Sequence, residues 1–145
     1  MQLSASLENY LETILNLFEE KQQIKAVDIA KRLEVSKASV TEALRALAGK
    51  GLINYAPYED ITLTAQGITR AEKVTLKHKV LYDFLFGILG IEHEEAIKNA
   101  CKIEHVISED ALDKFIAFLE FNKIHCKEKH NCSEEFMSFY KSRKK

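Results

Sequence analysis

The sequence has little of what interrupts a helix: one proline and five glycines in 145 residues. That scarcity predicts a mainly helical chain. It also lacks an excess of either charge. Lys and Arg number 21 against 22 Asp and Glu, for a net charge of −1. There is no bulk basicity to announce a nucleic-acid partner, so any such surface must be local. Long apolar runs are missing. The longest, residues 84–91, contains two glycines and is far too short to span a membrane, so no membrane partner is expected. The start, Met-Gln-Leu-Ser-Ala-Ser, has neither the charged nor the apolar region of a secretory signal. Cysteines number three. With no export signal they predict a reducing cytoplasm, and free thiols or metal ligands rather than a disulfide framework. Signatures of catalysis are also missing. No His-Glu-x-x-His, glycine-rich phosphate loop or evident Ser-His-Asp set occurs, and the chain is read as a non-enzyme. What is present, 46% hydrophobic and 30% charged residues, describes a soluble globular protein of one domain or two small ones.

The most chemical stretch is Cys101-Lys-Ile-Glu-His105. In a helix, Cys101, Glu104 and His105 stand at i, i+3 and i+4 on one face. A thiolate, a carboxylate and an imidazole within one turn can share one divalent metal. The mixture of soft and hard donors suits Fe(II), Mn(II), Co(II) or Zn(II). A polar helix face with one half-buried cysteine is the bland alternative, because a short triplet is weak by itself.

In chain order, apolar residues from Leu7 to Phe18 recur at helical spacing and predict an amphipathic helix over 6–20. Asn9 and Glu12 lie one turn apart on its other face. A short helix over 24–33 follows. Glu34-Val35-Ser36 then leads to a third helix over 37–50, with Ser36 as N-cap and Gly51 as stop. Residues 52–55 and 61–64 read as two short strands. This order is the layout of a winged helix-turn-helix, with Ala30 small at the helix crossing and Val35 filling the turn. A helical module without DNA contact is the competing reading. Between Lys25 and Gly51 six basic residues face three acidic ones, a local excess of positive charge. Lys31, Arg32, Lys37 and Arg45 are candidate phosphate contacts. Ser36, Ser39 and Thr41 can reach phosphates or base edges, Ala38 a thymine methyl, and Glu42 a cytosine amine. The acidic strand loop, with Glu59 and Asp60, is expected to add little phosphate binding.

Thr64 caps a long helix predicted over 65–89, apolar on several sides near its end, which Gly90 closes. Helices over 92–106, from Ser108 onward, and from Ser133 onward complete a helical half with surplus apolar surface. That surplus suits a partner chain. The predicted division is a DNA-binding domain over 1–76 and a helical metal-binding and dimerisation domain over 77–145. His125, Cys126, His130 and Cys132 form a possible second metal or redox site, or alternatively plain loop residues.

Together these stretches resemble the diphtheria toxin repressor and manganese transport regulator family of metal-dependent transcriptional repressors. The resemblance rests on residues 6–14, on Val27-Asp28-Ile29-Ala30 and Val35-Ser36, on Leu63-Thr64 with Gly67, on His78, and on residues 101–106 followed by Ser108. It implies the short form: a winged helix-turn-helix and a helical dimerisation domain, without an SH3-like third domain. It implies metal ligation by Asn9, Glu12, His78, Cys101, Glu104 and His105. It further implies a cytoplasmic homodimer on palindromic operator DNA, activated by Fe(II) or Mn(II), with Zn(II) or Co(II) possible in vitro. Cys101 is the iron-type residue and leans the reading to Fe(II), whereas Glu12 is the manganese-type residue. The alternative is a winged-helix regulator sensing a redox or other signal, with the Cys/His/Glu cluster structural.

Overall fold

A computed structural model describes residues 2–126 and 132–143. The chain divides into two compact units, Met1–Thr75 and Leu76–Lys145.

In the first unit, α1 (Ala5–Lys21) starts where the Ser4 hydroxyl accepts from the Leu7 amide, 3.2 Å. Its apolar stripe buries Leu11 and Ile14 completely. Gln22, in a positive-φ conformation, ends it. Helices α2 (Ala26–Leu33) and α3 (Lys37–Gly49) form the helix-turn-helix. Ser36 caps α3 by accepting from the Ser39 amide. Strands β1 (Ile53–Asn54) and β2 (Thr62–Leu63) pair antiparallel in the register Ile53 to Leu63 and Asn54 to Thr62. An isolated bridge from Ile24 to Ile61 extends the hairpin. Ile24, Ile29, Val40, Leu44, Leu47 and Ile61 join the α1 residues in one core. Each such burial is worth about 1.5–3 kcal/mol in transfer terms.

Two positions depart from the expected turn. The helix-turn-helix bend is made by Glu34 in a left-handed conformation (φ 55°), from which the Val35 amide donates to Ala30 O. Val35 itself is exposed and does not fill the turn. Residues 24 and 25 belong to the bridge and the α2 cap rather than to α2.

Helix α4 (Ala65–Tyr82) begins under the Thr64 hydroxyl, which donates to Gly51 O and accepts from the Gly67 amide. Gly67 lies against the residue before β1: a Cβ there would collide with the Leu52 carbonyl oxygen. In the second unit the helical path continues past Tyr82 as a π-helical segment, Asp83–Ile88. Gly90, at φ 67°, turns the chain. Then come α5 (His93–Ile103), α6 (Glu109–His125) and α7 (Cys132–Arg143). Ser108 caps α6 through the Ala111 amide, as expected. Ser133 lies within α7 and donates to Gly87 O instead of capping.

The core of this unit is small: Leu81, Leu85, Ala96 and Ala100. Much apolar surface stays outside it, including Phe118, Phe121, Ile124 and Phe139. That is the surplus the sequence predicts.

Candidate metal centre and nucleic-acid interface

Two alanines, at i and i+4 on α5, let that helix approach the end of α4 closely. Ala96 and Ala100 are fully buried against Leu81 and Leu85. Cys101 follows Ala100 directly, and His78 lies one turn before Leu81. The packing therefore brings the end of α5 beside His78. Nδ1 of His78 is 2.9 Å from Glu104 Oε2 and 3.6 Å from Cys101 Sγ. Ligand atoms of His78, Cys101 and Glu104 all lie within 4.8 Å of one another. Atoms bound at about 2.0–2.3 Å to one ion stand within roughly 4.6 Å of each other, so only small side-chain shifts separate this cluster from coordination.

Helix α5 ends at Ile103, three residues earlier than predicted, because the Val106 amide closes a tighter turn onto Ile103 O. Glu104 is the C-cap and keeps helical dihedrals, so Cys101 and Glu104 remain one turn apart. The unsatisfied carbonyls at a helix C-terminus add a partial negative charge that favours a cation. His105 falls in the turn beyond. Its Nε2 is 3.3 Å from Glu104 Oε1, and its side chain is largely buried. It is not in the three-ligand set; it stands beside it.

Glu104 is 1% exposed, and its Oε1 accepts no hydrogen bond. A buried carboxylate oxygen without a donor costs free energy that a cation partner would offset. The nitrogen, sulfur and oxygen donors are those of a first-row transition metal. The residues present thus fit a divalent metal ion.

Asn9 and Glu12 sit one turn apart on α1 in the first unit, exposed and half-buried respectively.

For the possible second metal or redox site, the metal alternative needs correction. Cys126 and Cys132 are joined as a disulfide, not held as free thiols or ligands. They stand at the end of α6 and the start of α7, with Cα atoms 5.8 Å apart, within the range a disulfide spans. A disulfide sulfur is no thiolate ligand. His125 lies tilted against Phe121, ring centroids 4.2 Å apart. His130 lies outside the described residues. Cys101, the cysteine outside that disulfide, is half-buried at the cluster.

On α3, Lys37, Ala38, Ser39, Glu42 and Arg45 are exposed along one side, while Val40, Leu44 and Leu47 face the core. Thr41 is half-buried and donates to Lys37 O. Ser36 and Ser39 hydrogen-bond each other in the cap. Lys31 is exposed on α2. Arg32, a candidate DNA contact, is exposed on α2 and makes a two-pronged contact with Glu20, at 3.1 and 2.6 Å. The guanidinium hydrogen bond holds the Glu20 carboxyl below its ordinary value, and Glu20 in turn raises Arg32.

Fold and cluster together define a winged helix-turn-helix protein with a metal-ligand set in a separate helical unit. The comparisons agree. Residues 2–61 match the N-terminal DNA binding domain of the iron dependent repressors, and residues 64–133 match their metal binding and dimerisation domain. The chain belongs to the iron dependent repressor family, the group its sequence resembles. An uncharacterized HTH-type transcriptional regulator of Methanocaldococcus jannaschii is 40% identical over 119 residues, 81% of this chain and 95% of that one. The transcriptional regulator MntR of Escherichia coli O157:H7 is 36% identical over 114 residues, 79% of this chain and 73% of that one. Among solved structures, the manganese regulator SloR superposes with a TM-score of 0.71 at 27% identity, over 79% of this chain. The chain matches only about half the length of that structure, 54%.

Among the described residues no helix is long and apolar enough to cross a membrane.

Proposed function

We propose that this protein is a metal-activated, DNA-binding transcriptional repressor of metal homeostasis genes, acting as a homodimer on palindromic operator DNA. The observation that carries this reading is the buried Glu104 carboxylate, with an oxygen lacking a hydrogen bond, set between His78 and Cys101 in a chain whose other unit is a helix-turn-helix. His78, Cys101 and Glu104 would hold the ion, with His105 beside them. Asn9 and Glu12 are the further ligands that the family resemblance implies, supported by their spacing on α1. The physiological metal is Fe(II) or Mn(II). Cys101 leans toward the softer ion, while the likeness to the manganese regulator SloR leans toward Mn(II).

The bound ion supplies positive charge to a site otherwise rich in anionic ligands. Glu104 and Cys101 would provide the negative charge of the helical unit beside the neutral His78 imidazole, and Glu12 would add its carboxylate from α1. The exposed side of α3 meets the major groove, with Lys37 and Arg45 on phosphates and Ala38, Ser39 and Glu42 nearest base edges. The surplus apolar faces of α6 and α7 suit the dimer contact.

Linkage makes the test direct. If metal raises operator affinity, DNA raises metal affinity by the same factor, about 5- to 150-fold for a coupling of roughly 1–3 kcal/mol. Mn(II) and Fe(II) titrations with and without operator DNA measure it. Glu12→Gln should retain part of the metal binding and lose part of the coupling. Equal metal affinity in both wild-type titrations would refute metal activation and favour a winged-helix regulator with a structural Cys/His/Glu cluster.

A further inference from the structure

The loop between β1 and β2 carries one side chain that packing does not explain. Tyr58 is fully exposed, 101% of its reference area, and its backbone is left-handed at φ 66°. A bulky residue in that region is an outlier that glycine would occupy without steric cost. Such strain persists where surrounding contacts hold it in place. Those contacts are present. Lys25 Nζ donates to Tyr58 O at 3.5 Å and pairs with Asp60 Oδ1 at 2.8 Å. The Glu59 amide donates to Ala56 O, and next to the tip the Ile61 amide donates to Ile24 O. The loop is thus fastened to the residue that caps α2.

That anchor fixes what the tyrosine can meet. The first helix of a helix-turn-helix pair crosses the DNA backbone while the second enters the major groove. Lys25 is the N-cap of that first helix, so the tip is tied to the element that meets phosphates. The tip's charge works against attraction. Lys25 offsets Asp60, and Glu59 remains exposed and acidic. A neutral donor is the group there that can approach a phosphate without adding charge, and tyrosine hydroxyls do bond phosphate oxygens.

We propose that Tyr58 is a DNA-backbone contact at the hairpin tip, its hydroxyl donating to a phosphate oxygen and its ring lying against the adjoining sugar. The contact would fix the protein's register on the duplex without reading bases. This rests on the DNA-binding reading above.

The probe is a fluorescein-labelled duplex selected from a random pool by the Mn(II)-loaded wild-type protein. Tyr58→Phe should weaken binding by roughly tenfold, the loss expected for one hydrogen bond to a charged group. The slope of log affinity against log salt should stay unchanged, because no phosphate charge is neutralised. Lys37→Ala should instead lose affinity with a shallower slope. Tyr58→Gly relieves the backbone strain, so it should melt at or above the wild-type temperature and still bind more weakly. Wild-type affinity in both Tyr58 variants would overturn the proposal, whether or not the tyrosine serves another partner. So would a shallower salt slope in Tyr58→Phe. Failure of the wild-type protein to enrich any duplex, with or without metal, would overturn the DNA-binding reading and this proposal together.

Discussion

Replacing Glu104 by glutamine should change the protein's stability in opposite directions with and without metal. The side chain is buried, one oxygen is 2.9 Å from His78 Nδ1, and the other accepts no hydrogen bond. Glutamine keeps the shape and removes the charge, and its amide can donate toward His105 Nε2, which stands 3.3 Å from the orphaned oxygen. An unsatisfied buried polar group costs about 1–3 kcal/mol, and because His78 already serves the other oxygen the lower end applies. In EDTA the variant should therefore be more stable by about 1 kcal/mol. With metal at about 100 times the wild-type Kd, the wild-type protein gains about 2.7 kcal/mol from binding. Loss of a direct ligand should weaken binding by at least the roughly 100-fold that outer contacts can reach, leaving the variant about 0.4 kcal/mol of that gain. The metal-loaded variant then falls about 1 kcal/mol below the loaded wild type. That corresponds to roughly 2–4 °C in melting temperature for a chain near this size. Urea denaturation followed by circular dichroism, in EDTA and in Mn(II), reads both differences. A variant clearly less stable than wild type in EDTA would mean that the carboxylate is already satisfied. Equal stabilisation of both proteins by Mn(II) would remove Glu104 from the ligands.

Cys101→Glu should shift the metal ranking of DNA binding toward Mn(II), since a hard oxygen replaces a soft sulfur; an unchanged ranking would show that the thiolate does not select. Gly67→Ala should lower the melting temperature at every metal concentration, by about 1–3 kcal/mol of overpacking, because its Cβ would meet the Leu52 carbonyl oxygen and backbone must move; a wild-type melt would place the helix further from the hairpin. The Lys21 ammonium on Asp28, helped by the Lys25 amide, holds the Asp28 carboxyl below its ordinary value of 3.8. A lowered folded value means stability that is complete above the ordinary value and fades as pH falls through the lowered one. Asp28→Asn should thus cost roughly 0.5–1 kcal/mol at pH 7 and progressively less below about pH 4, measured by urea midpoints across pH; a constant cost would assign the effect to shape rather than charge.

The parts of this fold that were legible in the sequence are those set by local chemistry. Ser36, Thr64 and Ser108 each act as the caps their hydroxyls suggest, and Gly90 turns the chain at positive φ. The buried stripe of α3 follows from Val40, Leu44 and Leu47 at helical spacing. The metal cluster is a mixed case. Cys101 and Glu104 could be paired by spacing alone, but His78 lies 23 residues before Cys101 and could be placed there only through family resemblance. The physical signal that joins them, Ala96 and Ala100 at i and i+4, is a packing signal, and alanines of that kind are common. The rest depends on tertiary terms. Val35 is apolar by type yet exposed, because the turn is made by the backbone of Glu34. Cys126 and Cys132 pair because two helix ends meet, which a compartment argument about free thiols does not contain. The π-helical segment has no local mark beyond one glycine within it. Its observed bond, from the Leu89 amide to Phe84 O, lets the chain reach Gly90 in register with α7, where Met137 fills the space a Cβ at Gly90 would take.

The charge of the cluster gives a reason why its ion should be divalent. The ligands proposed for it within the helical unit would be one carboxylate, one thiol that binds metal as thiolate, and one imidazole that binds metal while neutral. Two negative charges meeting a divalent cation make a neutral group, which is the form that burial tolerates best. A monovalent ion would leave a net negative charge beside a carboxylate that is 1% exposed, and the Glu12 carboxylate, joining as proposed, would only add to the need for a multivalent ion. Among divalent ions, oxygen-loving Mg(II) and Ca(II) lose by the sulfur and nitrogen donors, which leaves the first-row transition metals. Within that row raw affinity favours the later metals over Mn(II) and Fe(II), so tight binding of Zn(II) in vitro would not identify the ion that activates the protein. Activation has to be read where metal and DNA are measured together, since an ion can bind tightly and still shift no equilibrium unless it prefers the DNA-competent state.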